Sequence, residues 1–356
     1  MLAILKTWFT RYFSDPQAVL LTAILIIGFA IVINLGSMLA PVFAAVVIAY
    51  LLEGVVRKLE RRSVPRIYAV IIVFLLFNAF VIFIFIGLVP PLSEQVTALI
   101  KELPRYLGIA KQQLLELPQE YSFISEKQVA DVMEVINREI ASFGQKILAV
   151  SLASITSLIT IMVYLILVPM LIFFFLKDKK VIIDWFVSLL PKDRSLTSKV
   201  WGEMDQQLGN YVRGKFLEIV IVGVVSFIAF AILGLKYSIL LGTLVGISVL
   251  VPYIGATIVT IPVAMVAYFQ WGWGSDFAVL MTVYLIIQAL DGNVVVPVLF
   301  SEVVNLHPIA IIVSVLFFGG LWGFWGIFFA IPLATLVNSV FCAWPRFNTE
   351  VAEIDL

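Results

Sequence analysis

Asp291, Asn293, Glu302 and His307 stand in a stretch of chain otherwise almost empty of charge. They belong to residues 288–308, reading QALDGNVVVPVLFSEVVNLHP, which also hold Gln288, Pro297, Asn305 and the single histidine. An ionisable group at membrane depth costs roughly 2.5–3.5 kcal/mol on insertion scales, so such a group points to a pathway or a site. Asp291 and Asn293, with Gln288 before them, could bind a polar solute or couple a cation or proton. Their plainer role is helix capping at a membrane edge, which Asp and Asn perform well. His307 is a candidate proton-sensitive group. Placed before Pro308, it could instead hydrogen-bond locally and start the next helix. Glu302 could rest at the interface with no specific role.

The composition requires a membrane around these residues. The chain of 356 residues is 62% hydrophobic and only 13% charged, against about half and about a quarter in soluble domains. The apolar residues come in blocks: 16–52, 67–93, 147–176, 219–235, 237–275 and, His307 aside, 303–345 carry no charge. Crossing ~30 Å of hydrocarbon takes about 20 apolar residues, so the expected class is an all-α polytopic membrane protein. Arg57, Lys58, Arg61, Arg62 and Arg66 make 53–66 basic, and 177–218 are basic as well. Basic loops stay cytoplasmic. That assigns both to the inner side, 92–146 to the outer side, and both termini to the cytoplasm.

The domain boundaries follow. Residues 1–91 should hold transmembrane helices near 17–34, 38–53 and 67–89, the first two joined by a tight turn at Asn34, Gly36, Ser37 and Pro41. Residues 92–146 read as an extracytoplasmic module of amphipathic helices punctuated by Pro104 and Pro118. A span at 147–176 follows, then cytoplasmic amphipathic helices at 177–215. A transport core at 216–344 should contain spans at 216–234 and 277–290 and two broken segments, 237–269 and 307–340. The count is about six full spans, plus two segments that break or re-enter.

The two broken segments share a pattern. At an offset of 70 residues Ile261-Pro262 falls on Ile331-Pro332, and each segment is interrupted midway, by 251–255 (VPYIG) and by 319–323 (GGLWG). Unbroken, each would reach ~45 Å at 1.5 Å per residue, longer than the hydrocarbon core. Exposed backbone at such breaks must be buried in protein or line a wet cavity, and paired interrupted segments point to a transporter site. Pro252, Tyr253 and Gly255 therefore join Gln288, Asp291, Asn293 and His307 as pathway candidates. Gly319, Gly320, Gly323, Pro297, Arg213 and Glu218 are the gate and hinge candidates. Packing is the plainer role for the glycines, since Gly242/Gly246 and Gly319/Gly323 form GxxxG spacings. Surface anchoring is the plainer role for Arg213 and Glu218.

No HExxH, GxSxG or P-loop occurs, and the one cysteine forms no redox pair, so no enzyme is expected. No nucleic-acid footprint and no resident cofactor or metal is expected either; H+ or Na+ could serve as coupling ion.

With these motifs in view, the chain resembles the autoinducer-2 exporter family over nearly its full length. The resemblance rests on 251–255, Asp291-Gly292-Asn293 with Pro297, Leu306-His307-Pro308, 319–326, Ile331-Pro332 and the run QQLGNYVRGK at 206–215. It implies a permease of the bacterial inner membrane that lacks an ATPase domain. Some members are linked to export of the furanone signal, others to sodium(lithium)/proton antiport. It also implies a homo-oligomer, a pentamer on that basis alone. The expected function is secondary transport of a small polar solute, such as autoinducer-2. Antiport, an oligomeric channel-like pore and a membrane scaffold or sensor are the alternatives.

Overall fold

The computed structural model describes residues 16–120, 127, 130, 131, 134, 138, 154–189, 195–300 and 306–343. Glu302, Asn305 and most of the second half of the expected outer module lie outside them. Among the described residues all regular elements are helical. Six stretches are long and apolar enough to cross a membrane, so the chain is an all-α polytopic membrane protein. Its outward side chains confirm the solvent: Phe83, Ile86 and Ile232 are more than 70% exposed, which only lipid makes cheap.

Helix α1 runs Pro16–Glu60 without interruption, and this corrects the expected pair 17–34 and 38–53. The Asn34 side-chain amide donates back to the Ala30 carbonyl at 2.7 Å instead of turning the chain. Pro41 stands inside the helix, where it removes a backbone hydrogen bond and crowds the preceding turn, a cost that membrane helices tolerate. At 45 residues the helix is ~68 Å long by its rise. Two stretches within it, Val19–Gly36 and Met38–Glu60, are each long and apolar enough to cross a membrane. Helices α2 (Arg66–Gly87) and α3 (Val89–Glu120) are separated only at Leu88. Pro90 and Pro91 sit in the first turn of α3, where missing N–H groups cost nothing, and Pro104 is accommodated inside it.

Helix α4 (Ser154–Lys177) leads to the short α5 (Lys179–Ser188) and then to α6 (Ser195–Ile232). The expected boundary at 215 is absent: α6 carries the chain unbroken from the basic region into the apolar one. Helices α7 (Ser238–Ser248) and α8 (Ile254–Trp271) flank the first expected break. Helix α9 (Ser275–Leu290) does not end at Asp291. It passes through a π-helical turn, Asp291–Val295, into α10 (Val296–Phe300). The second expected break separates α11 (Pro308–Trp322) from α12 (Phe324–Phe328) and α13 (Ala330–Ala343). Gly323 makes that break at φ +57, a left-handed conformation cheap only for glycine.

Both broken segments fold back as helical hairpins, and each tip is closed by a glycine. A Cβ at Gly255 would overlap the Ser248 carbonyl, and one at Gly326 would overlap the Phe318 carbonyl. Helix α7, at 11 residues, is ~16 Å long, short of the hydrocarbon core. Its GxxxG face meets α6, where a Cβ at Gly246 would stand 2.7 Å from the Ile219 carbonyl oxygen and 2.8 Å from the Gly223 Cα. Gly246→Leu is therefore expected to push the helices apart and cost about 1–3 kcal/mol of stability, read as a lower unfolding temperature in detergent. An unchanged temperature would show that the two helices can part freely. At the other end of this hairpin, α3 holds both legs. The Gln95 side chain accepts from the Leu240 N–H at 2.9 Å, the Tyr268 hydroxyl donates to Gln113 at 2.9 Å, and Tyr106 stacks on Phe269 at 4.6 Å.

Candidate functional site

The tip of the first hairpin, the middle of α6 and the π-turn after α9 enclose a cavity of about 690 Å³. The starts of α11 and α13 complete it through Pro308, Ile311 and Ile331. Its charged groups are Lys215, Glu218 and Asp291.

Lys215 and Glu218 lie three residues apart on one face of α6, so a helical turn brings them together. The ammonium meets a Glu218 carboxylate oxygen at 2.8 Å, and the two residues are 4% and 2% exposed. The Phe300 ring covers the ammonium at 5.5 Å to its centroid. Gly214 makes room for that ring, since a Cβ there would come within 2.8 Å of it. Desolvating two charges roughly cancels their attraction, so such a pair is poor evidence for stability and better evidence for a role.

Asp291 faces the pair across the cavity, and Lys215 acts electrostatically on both carboxylates. The Asp291 Oδ1 is buried and accepts no hydrogen bond, and an unsatisfied buried acceptor is costly. With both carboxylates ionised, the single ammonium leaves one negative charge uncompensated. The cavity is therefore suited to a monovalent cation, a proton or a donor-rich polar solute. The π-turn explains how Asp291 is presented. Pro297 has no N–H to continue an α-helical ladder, and the Val296 N–H donates five residues back to the Asp291 carbonyl. Single π-turns inside α-helices recur at functional sites.

The hairpin tip supplies the cavity's upper lip. Tyr253 is the centre of a tight γ-turn, with φ 62 and ψ −49 and the Ile254 N–H donating to the Pro252 carbonyl at 2.7 Å. This is the rarer and strained γ-turn form, and strain of this kind clusters where chains clamp or switch. The Tyr253 side chain is left 57% exposed. From Gln288 a polar ladder runs away from the cavity: its amide donates to the Tyr284 hydroxyl at 2.7 Å, which lies 2.9 Å from the Thr260 hydroxyl. On the other wall the Tyr211 hydroxyl donates to the Phe328 carbonyl at 2.9 Å, tying α6 to the second hairpin.

The structure thus gathers Gln288, Asp291, Pro252, Tyr253, Pro297 and Glu218 around one cavity, with Gly255 packed beneath its lip. Other candidates lie elsewhere. Asn293 is exposed and its amide returns to the Ala289 carbonyl at 2.8 Å. Arg213 packs over Gly54 of α1 and donates to Asn210 at 2.7 Å. Gly319 receives Ile327, Gly323 ends α11, and a Cβ at Gly320 would meet nothing within 4 Å. His307 is exposed and caps α11, its Nδ1 accepting from the Ile309 N–H at 3.3 Å. His307→Ala is accordingly expected to leave flux unchanged and to lower stability by about 1 kcal/mol, the worth of a cap. Flux loss at normal expression would return the histidine to the pathway.

Tyr211, Tyr284 and Thr260 were not among the candidates. Lys215 and Glu218 had a legible signal, an opposite-charge pair at helical spacing beside an apolar block. The hydroxyls had none, because only packing against neighbouring helices selects them. Among the described residues no group of His, Cys, Asp or Glu could hold a metal ion.

Comparison with known proteins gives the cavity a context. A family model described as "AI-2E family transporter" matches residues 20–346. "Putative permease PerM" of Escherichia coli (strain K12) is 47% identical over 346 residues, covering 97% of this chain and 98% of that protein. "Putative transport protein YueF" of Bacillus subtilis (strain 168) is 27% identical over 317 residues, covering 87% and 85%. A "Putative transport protein" of Thermotoga maritima is 24% identical over 344 residues, covering 95% and 97%.

Proposed function

The chain belongs to the AI-2E transporter family, and from that premise we propose that it is a secondary permease whose substrate path runs through the cavity at Asp291. The observation that carries the reading is a carboxylate oxygen buried without a partner, facing a desolvated Lys215–Glu218 pair in a space of about 690 Å³. That space falls in the size range of small-molecule sites, roughly 300–1,000 Å³. The substrate is a small polar solute, with export of a furanone signal such as autoinducer-2 the leading case. Movement of the hairpin tip around Tyr253 opens the cavity to one side of the membrane and then to the other. Gly255, pressed against Ser248, keeps the tip rigid while it moves.

The single uncompensated negative charge favours a second reading alongside the first: sodium(lithium) and protons exchange at Asp291 and Glu218, with or without a solute. No catalysis is proposed. The permease sits in the bacterial inner membrane with 53–66 and both termini facing the cytoplasm, and a homo-oligomer, a pentamer by family resemblance, is the proposed assembly.

The deciding experiment is flux into proteoliposomes of purified protein under an imposed pH or sodium gradient, with and without labelled autoinducer-2. Gradient-driven furanone movement supports the exporter. Cation exchange without furanone movement supports the antiporter. Flux that neither saturates nor depends on a counter-ion would favour a channel, and no flux of either kind would leave the carried solute open and favour the scaffold reading.

A further inference from the structure

A second cavity, of about 440 Å³, lies between α1, the end of α4, α5 and the start of α6. It is walled by apolar side chains that include Val46, Ala49, Ile182, Ile183 and Phe186, with Trp201 at its edge. The polar groups at one end are Tyr50, Glu53 and Lys179. The Tyr50 hydroxyl is committed to Asp205 at 2.6 Å. Glu53 is compensated three times over, by Arg57 at 3.3 Å, Arg66 at 3.2 Å and Lys179 at 3.4 Å. Arg66 is shared with Glu60 at 3.2 Å, so with Asp205 counted the paired groups at this end balance, and the positive excess comes from the flanking segments. Residues 53–66 and 177–184, which surround it, carry eight basic side chains against four acidic ones.

The cavity comes to head-group depth if α5 lies in the membrane interface, and α5 has the build for it. Helix α5 begins beside it, and its N-terminal end is the end of a helix dipole that favours anions. Trp185, Phe186 and Leu189 project from α5 at 58%, 58% and 65% exposure. An amphipathic helix with aromatic residues on one side and lysines at its start lies in the membrane interface. An apolar slot beneath a basic rim at that depth fits one molecule of opposite build, an acyl chain joined to an anionic phosphate.

We propose that this cavity is a binding site for an anionic phospholipid, with one acyl chain between α1 and α5 and the head group against Lys179, Lys180 and the basic residues of 53–66. It lies apart from the Asp291 cavity and stands whether or not that site carries substrate. Occupation would brace α5 and the start of α6, the helix that carries Lys215.

The test uses the full-length protein reconstituted in phosphatidylcholine nanodiscs containing brominated-chain phosphatidylglycerol or, separately, brominated-chain phosphatidylcholine. Bromine quenches tryptophan on contact, and the difference between wild type and Trp201→Phe isolates the ring at the cavity. Half-maximal quenching of that signal is expected at about a fivefold lower mole fraction of the phosphatidylglycerol, the preference that one basic residue near a surface supplies. Ala49→Phe, which fills the slot, should abolish the preference, and Lys180→Glu, on the exposed rim, should reduce it even if the first variant folds poorly. Equal quenching by both lipids, a preference that survives in both variants, or no quenching because protein covers the slot would each overturn the proposal.

Discussion

Asp291→Asn is expected to lower gradient-driven flux by roughly 10–100-fold while leaving the protein as stable as before, or more so. The two effects have one cause. The Asp291 Oδ1 is buried and unpartnered, so the ionised side chain is a cost the fold carries without a structural return. An amide of the same shape removes the charge and relieves that cost. A charged hydrogen bond to a solute or ion is worth about 1.5–3 kcal/mol, and its loss gives the expected fall in flux. Stability and activity then move apart, as they do where a site is held in a costly state for function. The check is proteoliposome flux beside thermal unfolding of the same preparation. Wild-type flux in the variant would sink the assignment of Asp291 to the pathway.

Lys215→Met should act in the opposite direction on stability. Removing the ammonium leaves Glu218, only 2% exposed, without its 2.8 Å partner and with a second carboxylate across the cavity. Stranding a buried charge this way costs about 3–5 kcal/mol. Adding Glu218→Gln removes the stranded charge, so the double variant should regain most of the lost stability. Groups in direct contact couple strongly in this manner. Flux should stay lost in the double variant, because the cavity no longer holds the charges that a cation or polar solute would meet. Unfolding temperatures of the four proteins test the first half. Additive losses would show that the pair is not coupled, and recovered flux would show that the charges are structural.

Much of this was legible in the residues because the membrane makes hydrophobicity informative. Uncharged blocks of helical length identified the spans, and 251–255 and 319–323 marked the hairpin breaks, since Gly and Pro interrupt helices wherever they occur with turn chemistry. Other boundaries were misread for the same reason. Asn34 and Pro41 look like a turn, yet α1 continues through them. In lipid the helix is the only cheap way to satisfy the backbone, so isolated breakers are absorbed. Asp291 and Asn293 look like a helix end, yet Pro297 converts that end into a π-turn and the helix goes on.

Composition and charge spacing alone determined that this is an all-helical membrane protein, that its charge is concentrated away from its spans, and that Asp291 is an exception needing a reason. Only the tertiary structure decided which polar residues share a cavity. Asn293 and Asp291 are two residues apart but take different fates, one bonded to its own helix and exposed, the other beside Lys215 and Glu218 from a helix far away in sequence. His307, the residue with the most obvious chemistry, caps a helix. The reason is physical: a side chain's chemistry is local, but its burial, its partner and the charge it faces are set by helices that meet through packing, and no spacing along one helix records that meeting.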